Sequence, residues 1–243
     1  MQSHPVTAMT VGAELSNAAK GRLAGLSYLA LIATGIFGLA YVPGQLISMS
    51  DPAGTFAKIQ ASDFLYRAGL AAEIACYVIY PVLLVFLHRL FSPYGRSLAM
   101  LMVLFAAISI PISFGAVAHK DVVIDIINGA GAFEAMDAGA RETALIDNFR
   151  AYKSNIAMAE IFWGLWLLPY GLLVLKTGLI PRFFGVFLVL GCFGYLANYF
   201  GPLFFESYKG SMFAEFVSIP DAIGEIGSAF WLAIFGAREI SAK

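Results

Sequence analysis

The chain has 243 residues, 60% of them hydrophobic and only 13% charged, with a mean hydropathy of +0.79. A soluble domain carries roughly 25% charged residues, so this is a membrane-protein composition; the net charge of −1 excludes a nucleic-acid-binding surface. The two cysteines, Cys76 and Cys192, lie in apolar runs, which excludes a disulfide framework or a Cys/His zinc spacing and reads as small core residues.

The first twenty residues are polar and lack the apolar centre of a cleavable signal peptide. They read as a tail or short surface helix, and His4 within them has no assigned role. Six stretches then reach the roughly 20 apolar residues that a span needs: Leu23–Ile47, Phe64–Leu87, Leu98–Ala118, Ile156–Leu175, Phe183–Phe205 and Phe216–Gly236. The expected fold is therefore all-α, a polytopic six-helix membrane bundle over residues 23–236, with cytoplasmic tails at 1–22 and 237–243. Each stretch holds one proline (Pro43, Pro81, Pro111, Pro169, Pro202 and Pro220), which membrane helices tolerate as bends. Gly and Ala recur in every span, which suits close helix packing.

Between spans 1 and 2, Asp51-Pro52 signals a helix start, and Phe56, Ile59 and Gln60 suit a short interfacial helix. The connections 91–97 and 177–182 are tight, so the spans they join are antiparallel neighbours. Residues 120–154 read as a long extracytoplasmic loop. Its second half spaces Leu145, Phe149 and Tyr152 as an amphipathic helix lying over the bundle mouth or on the membrane surface. With an inner amino terminus, Lys20, Arg22, Arg89, Arg96, Lys176, Arg182, Arg238 and Lys243 lie inside. Lys58, Arg67, Lys120, Arg141, Arg150, Lys153 and Lys209 lie outside, four of them in the long loop. Short loops set orientation, so both termini are expected to be cytoplasmic, in a bacterial inner membrane.

Ionisable groups inside the spans carry the functional reading. Glu73, Glu160, Asp221 and Glu225 all fall in the outer half of spans 2, 4 and 6, and an intramembrane acid is by default a candidate site. Asp221 and Glu225, four residues apart, share a helix face. The text Ala72-Glu73-Ile74 recurs as Ala159-Glu160-Ile161 and Gly224-Glu225-Ile226, a weak hint of three hairpin copies. Tyr41, Gln45, Ser109, Ser113, Tyr195, Asn198 and Tyr199 fall at the same depth, and His119 at the outer end of span 3. No Lys or Arg is expected inside the bundle, with Arg67 the nearest cation. One shared polar cavity is the expectation, with Glu73, Glu160, Asp221, Glu225, Tyr195, Asn198 and Tyr199 as its ligand-binding residues.

Histidines are too sparse for a zinc or haem site, and no nucleophile elbow, phosphate loop or dinucleotide fingerprint is present. The residues 22–29 (Arg22-Leu-Ala-Gly-Leu-Ser-Tyr-Leu29), Thr34-Gly35-Ile36-Phe37, Ala61-Ser62-Asp63 with Arg67, Arg96-Ser97-Leu98-Ala99, Gly178-Leu-Ile-Pro-Arg182 with Gly185, Gly194-Tyr195-Leu196, and Gly224-Glu225 with Trp231-Leu232 carry a resemblance. Together they are similar to an uncharacterised bacterial multi-pass membrane family, domain of unknown function 4386. The resemblance covers nearly the whole chain except the tail and the long acidic loop. It implies six spans and no established activity or cofactor. Three readings stay open: binding or transport of a small amphipathic or cationic molecule, a membrane enzyme acting on lipid or isoprenoid through its carboxylates, and an accessory subunit. Their partners are, respectively, the ligand, membrane lipids, and another membrane protein or a second copy of the chain.

Overall fold

The structure, a computed structural model, describes residues 15–208 and 210–240. His4, Lys209 and Lys243 lie outside the described residues. Among the described residues, six helices are long and apolar enough to cross a membrane: α1 (Asn17–Leu46), α3 (Asp63–Phe91), α4 (Arg96–Asn128), α5 (Ala138–Thr177), α6 (Arg182–Phe204) and α7 (Met212–Phe235). A short helix, α2 (Pro52–Ala61), joins α1 to α3. Among the described residues there are no strands. The protein is an all-α polytopic membrane bundle.

Side chains set the helix ends. Ser16, Asp51, Asp137 and Ser211 each accept a hydrogen bond from a first-turn amide, satisfying donors that a helix start leaves open. Gly129 and Gly178 close α4 and α5 with φ of 61° and 67°, a conformation that suits glycine. Two prolines stand just after departures from regular α-helix. Pro43 has no N–H, and its ring would strike the Leu39 carbonyl in a regular helix. The preceding turn widens instead: Ile36–Tyr41 is π-helical, and the Val42 amide donates to Phe37 O. Likewise α5 is interrupted at Trp166, three residues before Pro169.

The helices form a ring in chain order, α1–α3–α4–α5–α6–α7, which closes where α7 packs on α1. In a bilayer there is little hydrophobic gain between helices, so close backbone approach and dispersion hold the ring. The described termini meet at one end. There Ala18 N donates to Glu239 Oε1, Tyr94 OH to Ile240 O, and Arg238 N to Leu179 O. The connections 47–51, 129–137 and 205–211 lie at the opposite, loop-bearing end. Val78, Val82, Val85, Phe230 and Ile234 face outward, as lipid contact requires.

The connection over 120–154 is far shorter than expected. Helix α4 runs on to Asn128, and α5 begins at Ala138. The amphipathic stretch is helical, as its spacing requires, but it is the first part of α5. Leu145, Phe149 and Tyr152 are buried, and this part of α5 packs on the extended α4 and on α2. The tail expected over 1–22 likewise gives way to α1 at Asn17.

Candidate functional site

The four acids occupy three different settings. Glu73 is fully buried, and so is a cation: Lys120, 3% exposed, has its Nζ 2.5 Å from Glu73 Oε2. This overturns the expectation that no Lys or Arg lies inside the bundle. The charged run His119-Lys120-Asp121 reads as the end of a span, yet the helix continues through it and turns Lys120 inward. The pair is fully supported. Lys120 also donates to the Gly38 carbonyl at 3.2 Å and stands 4.2 Å over the Tyr152 ring. Glu73 Oε1 accepts from Tyr152 OH at 2.9 Å and Tyr77 OH at 3.3 Å. Gly38 belongs to the π-helical turn, so the distortion forced by Pro43 sits directly against this network. Arg67 is not the neutralising cation; it pairs at the surface with Asp63 at 2.7 Å.

Asp221 and Glu225 share a central cavity of about 250 Å³. Tyr28 OH donates to Glu225 Oε2 at 2.5 Å, and Tyr195 OH reaches Oε1 at a long 3.5 Å. Asp221 Oδ1 is buried and has no hydrogen-bond partner among the described residues. The walls are aromatic: Tyr28, Tyr77, Tyr80, Trp163, Trp166 and Tyr195. Among the described residues that line it, none is Lys or Arg. Trp166 stacks on Tyr170 and meets Tyr28 and Tyr80 edge-on, which sets the floor. Below it, towards the end where the termini meet, Leu83, Leu87, Met102, Leu173 and Val174 fill the bundle. At the side, Ile36 and Ile226, 56% and 38% exposed, give the cavity a margin towards lipid.

Glu160 belongs to a second cavity of about 420 Å³, nearer the loop-bearing end. Its lining includes Pro43, Met49, Lys120, Phe149, Tyr152 and Lys153. Glu160 is half-buried and has no hydrogen-bond partner among the described residues. Leu39 and Trp163 line both cavities and so form the wall between them. The acids thus gather into two adjoining chambers and a buried ion pair, not into a single pocket. The reason is Lys120, which draws Glu73 into a local cage.

The other residues at that depth mostly turn elsewhere. Tyr195 lines the central cavity, but Asn198 and Tyr199 line neither chamber. Asn198 ties the α6–α7 connection, donating to Ser218 Oγ at 2.8 Å and accepting from Tyr208 OH at 2.9 Å. Tyr199 OH points to Met158 Sδ at 3.8 Å. Tyr41 is 52% exposed and stacks on Phe37, and Gln45 is exposed. Ser109 and Ser113 are buried but donate back to carbonyls of their own helix. His119 contacts Asn148 across α4 and α5 at 3.3 Å. Among the described residues, no three His, Cys, Asp or Glu side chains gather as a metal site requires.

Sequence reasoning passed over Tyr28, Tyr77, Tyr80, Trp163 and Trp166. Tyr28 stood in the segment that carries the family resemblance, and a tyrosine so placed is a natural partner for an intramembrane acid. A family model described as a domain of unknown function (DUF4386) matches residues 23–236. The chain belongs to the DUF4386 family. The matched range takes in five spans whole and α1 from residue 23 on, and with them both chambers and the ion pair. A relative from Archaeoglobus fulgidus, described as an uncharacterized protein, is 31% identical over 108 residues. That match covers 44% of this chain and 62% of the relative. No solved structure matches this DUF4386 chain.

Proposed function

We propose that this protein binds a small organic cation with an apolar body in the central cavity, as a binding or transport protein of the bacterial cytoplasmic membrane. One observation carries the reading: among the described residues, two carboxylate side chains, one with an unpartnered oxygen, line an aromatic chamber to which no Lys or Arg contributes. A carboxyl group in such surroundings is neutralised by a proton or held as a carboxylate by a counter-charge, and a bound organic cation supplies the second. The aromatic faces favour a cation whose charge is spread over an apolar shell, at about 0.5–2 kcal/mol per well-placed ring.

The probe that tests this is benzyltrimethylammonium, with neopentylbenzene as its uncharged isostere. Purified protein should bind the cation and take up the isostere far more weakly. Asp221→Asn combined with Glu225→Gln should cost the cation about 2 kcal/mol or more, roughly thirty-fold in Kd, and leave the isostere unchanged. Equal binding of both probes to the unmodified protein would refute a cation site.

For orientation, we infer that the end where the termini meet is cytoplasmic. The burial of Lys120 in an ion pair removes one positive charge from the loop-bearing end, which sharpens the excess at the other end. In intact cells, Ala135→Cys in the exposed 129–137 connection should react with an impermeant thiol reagent, while Ser92→Cys is protected. Both native cysteines are buried and give little background. The reverse labelling pattern would invert the assignment.

A further inference from the structure

We propose that the second cavity is an entry station for the same class of ligand, in which an organic cation pauses at Glu160 before crossing the Leu39–Trp163 wall to Asp221 and Glu225. The inference rests on the cation-binding reading of the central cavity and adds the route to it. Three observations carry it. Glu160 is a half-buried carboxylate with no hydrogen-bond partner among the described residues, and it faces a chamber larger than the central one. That chamber lies towards the loop-bearing end and shares with the inner one an acid beside aromatic walls, here Phe149, Tyr152 and Trp163. The two chambers share Leu39 and Trp163.

Charge in the outer chamber is compatible with this role. The Lys120 charge is cancelled by Glu73 at 2.5 Å and capped by the Tyr152 ring, so it presents little repulsion. The other positive charge in the lining, Lys153, is exposed and free to swing into solvent. Glu160 therefore supplies the attraction, and Lys153 opposes entry. The wall is suited to opening. Leu39 sits in the π-helical turn, where the regular hydrogen-bond ladder of α1 is already broken, and a small rearrangement there costs less than in an unbroken helix. Trp163 rests on Tyr77 with ring centres 6.4 Å apart, and Tyr77 is itself tied to Glu73. The ion pair thus anchors one side of the wall.

The competing route is lateral, past Ile36 and Ile226 from the lipid. Stopped-flow tryptophan fluorescence with benzyltrimethylammonium separates the two. Glu160→Gln should lower the association rate roughly tenfold, the scale of a lost steering charge, with a much smaller change at equilibrium. Lys153→Gln should raise that rate. Ala157→Phe, which fills the outer chamber without touching the inner one, should slow association and dissociation by a common factor and leave Kd nearly unchanged. A retained Kd also shows that the variant is folded. Should Ala157→Phe fail to fold, Glu160→Gln and Lys153→Gln still decide. Wild-type binding whose rates ignore Glu160→Gln and Lys153→Gln overturns the entry station and leaves the central site standing. Absence of wild-type binding overturns the central site itself.

Discussion

Lys120→Met is expected to be among the most damaging single substitutions in this protein. It leaves the Glu73 carboxylate, fully buried, with two phenol donors and no counter-charge. Breaking a buried ion pair from one side costs about 3–5 kcal/mol. For a chain of this size that corresponds to a fall in Tm of roughly 6–20 °C, measured on purified protein in detergent. Glu73→Gln should be damaging for the mirror reason, since Lys120 then keeps carbonyl acceptors and a ring face but no counter-charge. The double variant carries no unpaired charge, and the two residues touch, so it should be much milder than the sum of the singles. Single variants that melt with the wild type, or a double variant as unstable as the sum, would show that the pair does not hold α3 to α4.

Gly38→Ala should be comparably severe through sterics alone. An added Cβ would stand 2.7 Å from the Glu73 amide nitrogen, 2.7 Å from the Gly69 carbonyl and 2.9 Å from Glu73 Cβ. Two of these are backbone atoms of α3, which cannot rotate away, so α1 itself must move off α3. That movement carries the Gly38 carbonyl away from Lys120 and opens the wall at Leu39, adding lost polar contacts to the overpacking. The expected cost is at or above the roughly 3 kcal/mol upper end of ordinary overpacking. Gly44→Ala on the same helix is the control. A Cβ there meets nothing within 4 Å, so the change should be neutral or gain up to about 1 kcal/mol of helix propensity. Equal stability of the two variants would mean that α1 and α3 do not meet at Gly38.

The first prediction centres on Lys120, which the sequence placed outside the bundle, and the second on Gly38, which it did not single out, and the reason is physical. Whether an apolar run spans a membrane is a local property, so six spans, the Asp51-Pro52 helix start and the apolar positions Leu145, Phe149 and Tyr152 were legible from the chain alone. So was the presence of acids that cannot face lipid without cost. The sequence also paired Asp221 with Glu225, because four residues along a helix fix a common face whatever surrounds it.

Where a charge points is not local. Lys120 enters the bundle because Glu73, 47 residues away, and the Gly38 carbonyl, 82 residues away, are there to receive it. Without them the same lysine would end a span, as its charged neighbours suggest. Glu225 is held by Tyr28 from 197 residues earlier, a contact that exists only because α7 closes the ring on α1. The division of four acids into two chambers and an ion pair follows from those distant pairings. Desolvation makes an unpaired charge costly in the bundle; Glu73 and Glu225 are met by side chains from distant helices, while Glu160 and one oxygen of Asp221 are left without a partner among the described residues, and only the tertiary fold decides which.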